Sequence, residues 1–288
     1  SAIQHRAEFN NAEAMRAFDH VIELAKILED EQTIVAFTME KGSLCLLVGD
    51  WSGAHELFST VVDRALSTGD RRSELQARCE RGILEWKRGL GTEAMSDVEE
   101  SLAISREIDD RSGISHALSA LGTMFLERGE HANALDRFQQ ALSIAEELHD
   151  LPSVASITSS IGDVYFEWGE LDKANEFFLR QRAICDGLGH RSGMVTALER
   201  LGNIAMHRGE YDTALDYFFR ALDQCEKQGN RGSTALLLGR IGGVHLERAE
   251  FDRAAEYFER KLTISRELGA VSGIASTNNT KTTTAMLP

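Results

Sequence analysis

Apolar residues along this chain fall at helical spacing in blocks, and turn residues separate the blocks. Between Leu201 and Arg240 the periodicity runs through two blocks that Gly209 divides. It predicts a first helix over 192–208 and a second over 212–228. The arrangement then recurs: glycine stands at Gly42, Gly82, Gly122, Gly162, Gly202 and Gly242, one every 40 residues. Alanine keeps step through Ala14, Ala54, Ala94, Ala134, Ala174, Ala214 and Ala254. A bulky residue does the same through Phe18, Phe58, Val98, Phe138, Phe178, Phe218 and Phe258. A fixed period of this length marks an all-α stack of helix pairs in which each repeat packs on its neighbours. Such a stack presents a surface, so the functional question is what the surface binds.

The punctuation follows the same period. Gly49, Gly89, Gly129, Gly169 and Gly209, with Ala249 as the departure, stand where a left-handed C-terminal cap is wanted. Asp172, Asp212 and Asp252, with Ser52 and Thr92, are the expected N-caps of the second helices. A longer turn is expected after each second helix, at Gly69-Asp70, Asp109-Asp110, His149-Asp150, Gly189-His190 and Gly229-Asn230. Pro152 falls in the first turn of the helix that follows, where a missing N–H costs little. The Gly42-to-Gly242 column lies inside helices, where each glycine costs about 1 kcal/mol against alanine. Six such positions predict a close helix–helix approach that a methyl group would block. The aromatic column would fill the groove between successive pairs, with Leu121, Ile161, Leu201 and Ile241 sealing first helix to second.

Residues 161–200 carry Ile161-Gly162, Tyr165, Gly169, Ala174 and Phe178, and residues 201–240 carry Leu201-Gly202, Gly209, Tyr211, Ala214, Phe218 and Ala221. This set resembles the tetratricopeptide repeat, in its longer 40-residue subclass known from kinesin light chains, Pins-type adaptors and bacterial regulators. The resemblance covers about residues 1–275. It implies a right-handed superhelical solenoid of about seven repeats, at roughly 1–40, 41–80, 81–120, 121–160, 161–200, 201–240 and 241–275. The array begins and ends within a repeat, with only a short first helix before Asn11. A new helix starts near Val271 and gives way to a polar tail over 276–288, expected to be flexible. Uncapped ends suggest a piece of a longer protein, or self-association through those ends.

Composition narrows the function. The 288 residues carry a net charge of −15, which disfavours nucleic acid, since phosphate binding needs clustered Lys and Arg. No apolar run is long enough to span a membrane and no signal peptide opens the chain. The cysteines Cys45, Cys79, Cys185 and Cys225 form no CxxC pair and read as small buried thiols in a reducing, cytoplasmic setting. Neither a metal site nor a cofactor is expected. Catalytic signatures such as GxSxG or HExxH are absent, and the nine histidines scatter over different columns, so no enzyme is expected. Arg71, Arg111, Arg191 and Arg231 share a column after the turn, where a structural role is expected.

By the resemblance, the first helix of each repeat lines a concave groove that takes a peptide or protein. Its columns vary while the packing columns do not. The implied groove residues are Glu40, Glu80 and Trp86 at one end. Ser119, Thr123, Ser159, Asp163 and Phe166 lie in the middle, and Glu199, Arg200, Asn203, His207 and Arg240 at the other end. Arginine can hold a carboxylate with two hydrogen bonds, and an asparagine amide can pin an extended backbone. Chaperone-binding members clamp a C-terminal carboxylate with Lys, Asn and Arg. Arg200, Arg240 and Asn203 match those columns, but Glu199, Gly239, Thr196 and Leu236 replace the lysines. Pairing of Arg200 with Glu199 or Asp163 is the alternative. The expected function is a non-enzymatic binding scaffold. The competing expectation is a sensory or regulatory arm of a bacterial signalling protein whose output domain lies elsewhere.

Overall fold

A computed structural model describes the backbone of residues 2–284 and the side chains of residues 11–269, Thr92 excepted. Among the described residues there are helices and turns and no strand. The helices are α1 (Ala2–Ile27), α2 (Glu31–Val48), α3 (Trp51–Thr68), α4 (Arg71–Lys87), α5 (Gly91–Glu107), α6 (Arg111–Glu127) and α7 (His131–Glu147). They continue as α8 (Leu151–Glu167), α9 (Leu171–Gly187), α10 (Arg191–His207), α11 (Tyr211–Gln228), α12 (Arg231–Glu247) and α13 (Phe251–Thr284). The chain forms two compact units, Ser1–Asp150 and Leu151–Pro288. In the first, α1 packs on α2 and is followed by the pairs α2/α3, α4/α5 and α6/α7; the second holds α8/α9, α10/α11 and α12/α13.

The period has a simple origin. From α4 to α10 every helix has 17 residues and every connection three, so two helices and two turns fill 40 residues. The longer turn expected after the second helix is therefore absent there. Both kinds of turn use one device, a middle residue in the left-handed region. Gly129 has φ +74° and Asp109 has φ +54°. In both, the next N–H returns to a carbonyl five residues back: Glu130 to Phe125 at 2.9 Å, Asp110 to Ser105 at 2.8 Å. The expected glycine caps take this conformation at Gly49, Gly89, Gly129, Gly169 and Gly209, and Ala249 adopts it too at φ +57°.

The expected N-caps need correction. Because the turn closes so tightly, each second helix starts two residues earlier than its aspartate suggests. Asp172, Asp212 and Asp252 lie inside α9, α11 and α13, Ser52 lies inside α3, and Thr92 lies inside α5. Glu170 and Glu210 hold the cap positions without a side-chain bond, and Leu90 caps α5 with no polar atom to offer. Side-chain capping instead marks the first helices. Asp30, Asp70, Asp110 and Asn230 each accept from the N–H three residues on. Asp50 does the same for α3.

The glycine column has the predicted steric purpose. A methyl group at Gly42, Gly122, Gly162 or Gly202 would sit 2.5–2.7 Å from the ring of Phe58, Phe138, Phe178 or Phe218. Those four rings are completely buried. At Gly82, where Val98 replaces the aromatic, the methyl would meet the Ala94 carbonyl oxygen and the Val98 side chain, each at 2.7 Å. Leu121, Ile161, Leu201 and Ile241 are buried as expected, and all four cysteines are free and buried.

One pair departs from this apolar scheme. Arg81 stands where Leu121, Ile161, Leu201 and Ile241 stand, and Asp97 where Leu57, Phe177 and Tyr217 stand. Arg81 on α4 grips Asp97 on α5 through two nitrogens, at 2.6 and 2.8 Å. Arg78 reaches Asp97, Glu100 and the buried Glu74. Three of the four arginines in the column after the turn are structural, as expected: Arg71 pairs with Glu107, Arg111 with Glu147 and Arg231 with Glu267.

The ends differ from expectation. Helix α1 runs unbroken across Asn11, because no proline or glycine interrupts residues 2–27. Helix α13 continues to Thr284, and the run 276–284 likewise contains neither residue. Residues 285–288 of the expected tail lie outside the described residues.

Candidate functional site

The first helices set the candidate face, and each unit carries its own part. In the first unit α4 lies beside both α2 and α6. Glu40 on α2 is exposed and has no hydrogen bond or ion pair among the described residues. Glu80 on α4 is half-buried, with its carboxylate 3.8 Å from His116 Nε2 on α6. The other ring nitrogen of His116 lies 3.7 Å from Cys79 Sγ. Cys79, His116 and Glu80 thus line up as thiol, imidazole and carboxylate, yet burial pushes the Cys79 thiol up to about 12, far from a working nucleophile. Trp86 is half-buried; its indole N–H donates to the Glu127 carboxylate on α6 and its ring rests against Gly91. The hydroxyl Thr123 Oγ1 turns back to the Ser119 carbonyl at 3.1 Å.

In the second unit α10 lies beside α8. Arg200 spans to Asp163 on α8: Nη2 donates to Oδ2 at 3.3 Å, while Nε is 2.9 Å from Oδ1 but not aimed at it. Burial pushes the Asp163 carboxyl up to about 6; Arg200 opposes this, and Glu167 and Glu199 add to it. Arg240 on α12 reaches Glu199 on α10 at 3.4 Å. His207 meets the Phe166 ring edge-on, with centroids 5.0 Å apart. Asn203 sits between Arg200 and His207 on the same stripe of α10. It is half-buried and makes no hydrogen bond among the described residues. Ser159 is half-buried on α8.

Within each unit the first helices thus bring the expected residues onto neighbouring stripes, and most of them bind each other. Arg200 and Arg240 are not free clamps, since each faces an acid one repeat back. His116 and Glu127 complete contacts that the column reading did not single out as site residues. The available signal was diagonal: partners stand 36, 37 or 41 residues apart, one repeat on and within one helical turn. Among the described residues no cluster of His, Cys, Asp and Glu has the arrangement of a metal site, and no helix is long and apolar enough to cross a membrane.

Comparisons with known proteins agree with the repeat fold. A family model described as tetratricopeptide repeat matches residues 73–147, 117–186 and 193–267. A second, described as anaphase-promoting complex subunit 5, matches only residues 1–42, too short a stretch to show that family. No curated protein sequence matches the chain. Among solved structures, BtubC (BKLC) from P. vanneervenii is similar over 76% of this chain and 92% of its own, at 19% identity and a TM-score of 0.66. A Rap protein complexed with competence and sporulation factor is similar over 89% and 86%, at 15% identity and a TM-score of 0.60. A Signal Transduction ATPase with Numerous Domains from Pyrococcus horikoshii, which has a tetratricopeptide repeat sensor, is similar over 90% of this chain and 38% of its own. Identity there is 17% and the TM-score 0.67. At these identities the structural likeness is one of fold. The repeat model covers well over half of the sequence, and its matches fall on the helix pairs just described: this chain belongs to the tetratricopeptide repeat family.

Proposed function

We propose that this chain is a non-enzymatic scaffold that binds a peptide or protein segment on the face formed by its first helices. The observation that carries the reading is Asn203. It lies on a stripe whose other members, Arg200 and His207, have partners on α8, while its own amide has none among the described residues. A half-buried amide with a free donor and acceptor is suited to an extended backbone, which offers one of each. Arg200 and Arg240 then act through exchange: a carboxylate from the ligand competes with Asp163 or Glu199 for the guanidinium. The similar Rap protein, complexed with competence and sporulation factor, supports ligand binding by such a fold.

Affinity capture from source-cell lysate, read by mass spectrometry, tests this with wild type beside Asn203→Leu and Arg200→Glu/Arg240→Glu. A partner held by wild type and lost from both variants, with helix content unchanged by circular dichroism, supports the scaffold. Equal capture by all three proteins removes this face. The competing reading is a sensory or regulatory arm, favoured by the likeness to an array that is one part of a larger signalling ATPase. The full gene sequence decides it: an output domain in the same reading frame is the expected finding, and its absence ends that reading.

A further inference from the structure

A second surface departs from the repeat pattern at the turns that join first helix to second. Later in the chain this edge carries several self-paired charges, with Trp168 and Phe251 as exposed apolar members. Arg208 binds Asp172, Arg248 binds Asp212 and Glu250, and Arg128 binds Glu130. In the early repeats three of these positions turn apolar. Leu47 stands where Glu127, Glu167 and Glu247 stand; Val48 stands where Arg128, Arg208 and Arg248 stand. Leu90 replaces the acid found at Asp50, Glu130, Glu170, Glu210 and Glu250. Trp51 opens α3 beside them. All four are open to solvent: Leu47 is 75% exposed, Val48 47%, Leu90 44% and Trp51 42%.

Two cations sit on the same edge. Lys87 and Arg88 end α4, are exposed, and make no ion pair among the described residues. The position of Arg88 is that of Arg208 and Arg248, which reach back to the second residue of the preceding second helix. For Arg88 that residue is Ser52, next to Trp51, so no acid is there to receive it. Large exposed apolar groups with polar surroundings mark interaction sites, and aromatic and arginine side chains are the commonest anchors. Basic groups with no ion pair among the described residues, placed beside such a patch, favour an acidic ligand through short-range pairing.

We propose that Leu47, Val48, Trp51 and Leu90, with Lys87 and Arg88, form a docking surface for a protein segment that carries large apolar residues next to Asp or Glu. It lies at the turn end of the early repeats, where Leu47 and Lys87 continue the column of His207, and it includes the turn residues Arg88 and Leu90 and the start of α3, which the first-helix face does not.

Selection of a randomised 12-residue displayed peptide library on the wild-type chain tests the proposal, with counter-selection on Leu47→Ser/Trp51→Ser. Both substituted side chains are exposed, so the fold is retained. The expected consensus pairs a large apolar residue with an adjacent Asp or Glu. A synthetic consensus peptide, titrated by calorimetry, should lose at least tenfold in affinity on Lys87→Glu/Arg88→Glu and keep it on Asn203→Leu. The proposal is overturned by no enrichment that depends on Leu47 and Trp51, by a basic consensus, or by affinity unchanged in the charge-reversed variant. It is equally overturned where the patch variant instead abolishes binding to phosphatidylserine vesicles or a concentration-dependent dimer, since the occupant is then a membrane or a second copy.

Discussion

Gly202→Ala and Gly243→Ala introduce the same methyl group into helix interiors, and the structure assigns them opposite outcomes. At Gly202 the added carbon would lie 2.5 Å from Phe218 Cε1 and 2.8 Å from Cδ1. Carbon atoms in contact prefer about 3.5–4.0 Å, so ring or backbone must retreat by about 1 Å. The ring has nowhere to go. Phe218 is completely buried in a cluster with Ala214, Ala221, Leu237, Leu238 and Ile241. Overpacking of this kind costs about 1–3 kcal/mol. At Gly243 nothing lies within 4 Å of the new carbon. Both substitutions gain about 1 kcal/mol of helix propensity, which cancels when the two variants are compared. Gly243→Ala should therefore stabilise by up to about 1 kcal/mol, and Gly202→Ala should be less stable than Gly243→Ala by about 1–3 kcal/mol. Urea unfolding followed by far-UV circular dichroism measures the difference. Amide exchange in α10 and α11 guards against loss of two-state behaviour, which repeat arrays can show. In a Phe218→Leu background the Gly202→Ala penalty should vanish. Equal stability of the two single variants would refute the steric account of the glycine column, and a penalty that persists in the Phe218→Leu background would refute its assignment to this ring.

Three other outcomes follow from the interior. Asp163 is ionised less readily in the folded chain, so that chain keeps a proton which the unfolded chain has shed between about pH 4 and about pH 6. Stability conferred by the protonated form is lost as pH rises through that window, by up to about 3 kcal/mol for a carboxyl only 25% exposed. The stability of wild type relative to Asp163→Asn should fall accordingly between pH 4 and pH 7 in urea titrations; a flat difference would show that Arg200 offsets burial. Arg81→Leu alone leaves Asp97 buried without its main partner and should cost about 3 kcal/mol, whereas Arg81→Leu/Asp97→Leu should recover most of it. A double variant no more stable than the single one would sink this view of the pair as a replaceable core contact. Burial pushes all four thiols upwards, so a thiol-reactive chromogen should leave the native protein almost unlabelled at pH 8 and react with four groups in urea; fast native labelling would show an open core.

The repeat columns were legible because each carries one physical demand that a single residue type meets. Glycine makes room for a ring, alanine packs beside it, and a left-handed residue reverses the chain. What misled was spacing within the turn. Asp212 looks like a cap because it is polar and precedes an apolar run, yet the left-handed turn at Gly209 brings the chain into helix by Tyr211. Its carboxylate takes a different task, receiving Arg248 from the next repeat. The ionic core of α4/α5 was legible in principle, since Arg81 and Asp97 interrupt columns that are otherwise mostly apolar. It calls for reading two departures together, as only their pairing makes either tolerable in an interior.

The candidate face was read from the sequence as a set of positions, and the contacts within it came from the structure. Column reading compares equivalent residues, whereas contacts run between inequivalent ones a repeat apart. Trp86 and Glu127 stand on different columns, so that pair is not visible until helices lie side by side, whereas the Arg200–Asp163 pair was one of the alternatives the sequence offered. This separates two kinds of departure from the repeat. Arg78, Arg81 and Asp97 break the pattern and satisfy one another inside the fold, so their chemistry is accounted for by folding. Among the described residues, Asn203 leaves an amide unbonded on a half-buried stripe, and Leu47, Val48, Trp51 and Leu90 leave apolar groups in water beside two cations without an ion pair. At Leu47, Val48 and Leu90 other repeats make the same fold with charged residues instead. The departures that the chain does not satisfy for itself are therefore where a partner has something to complete.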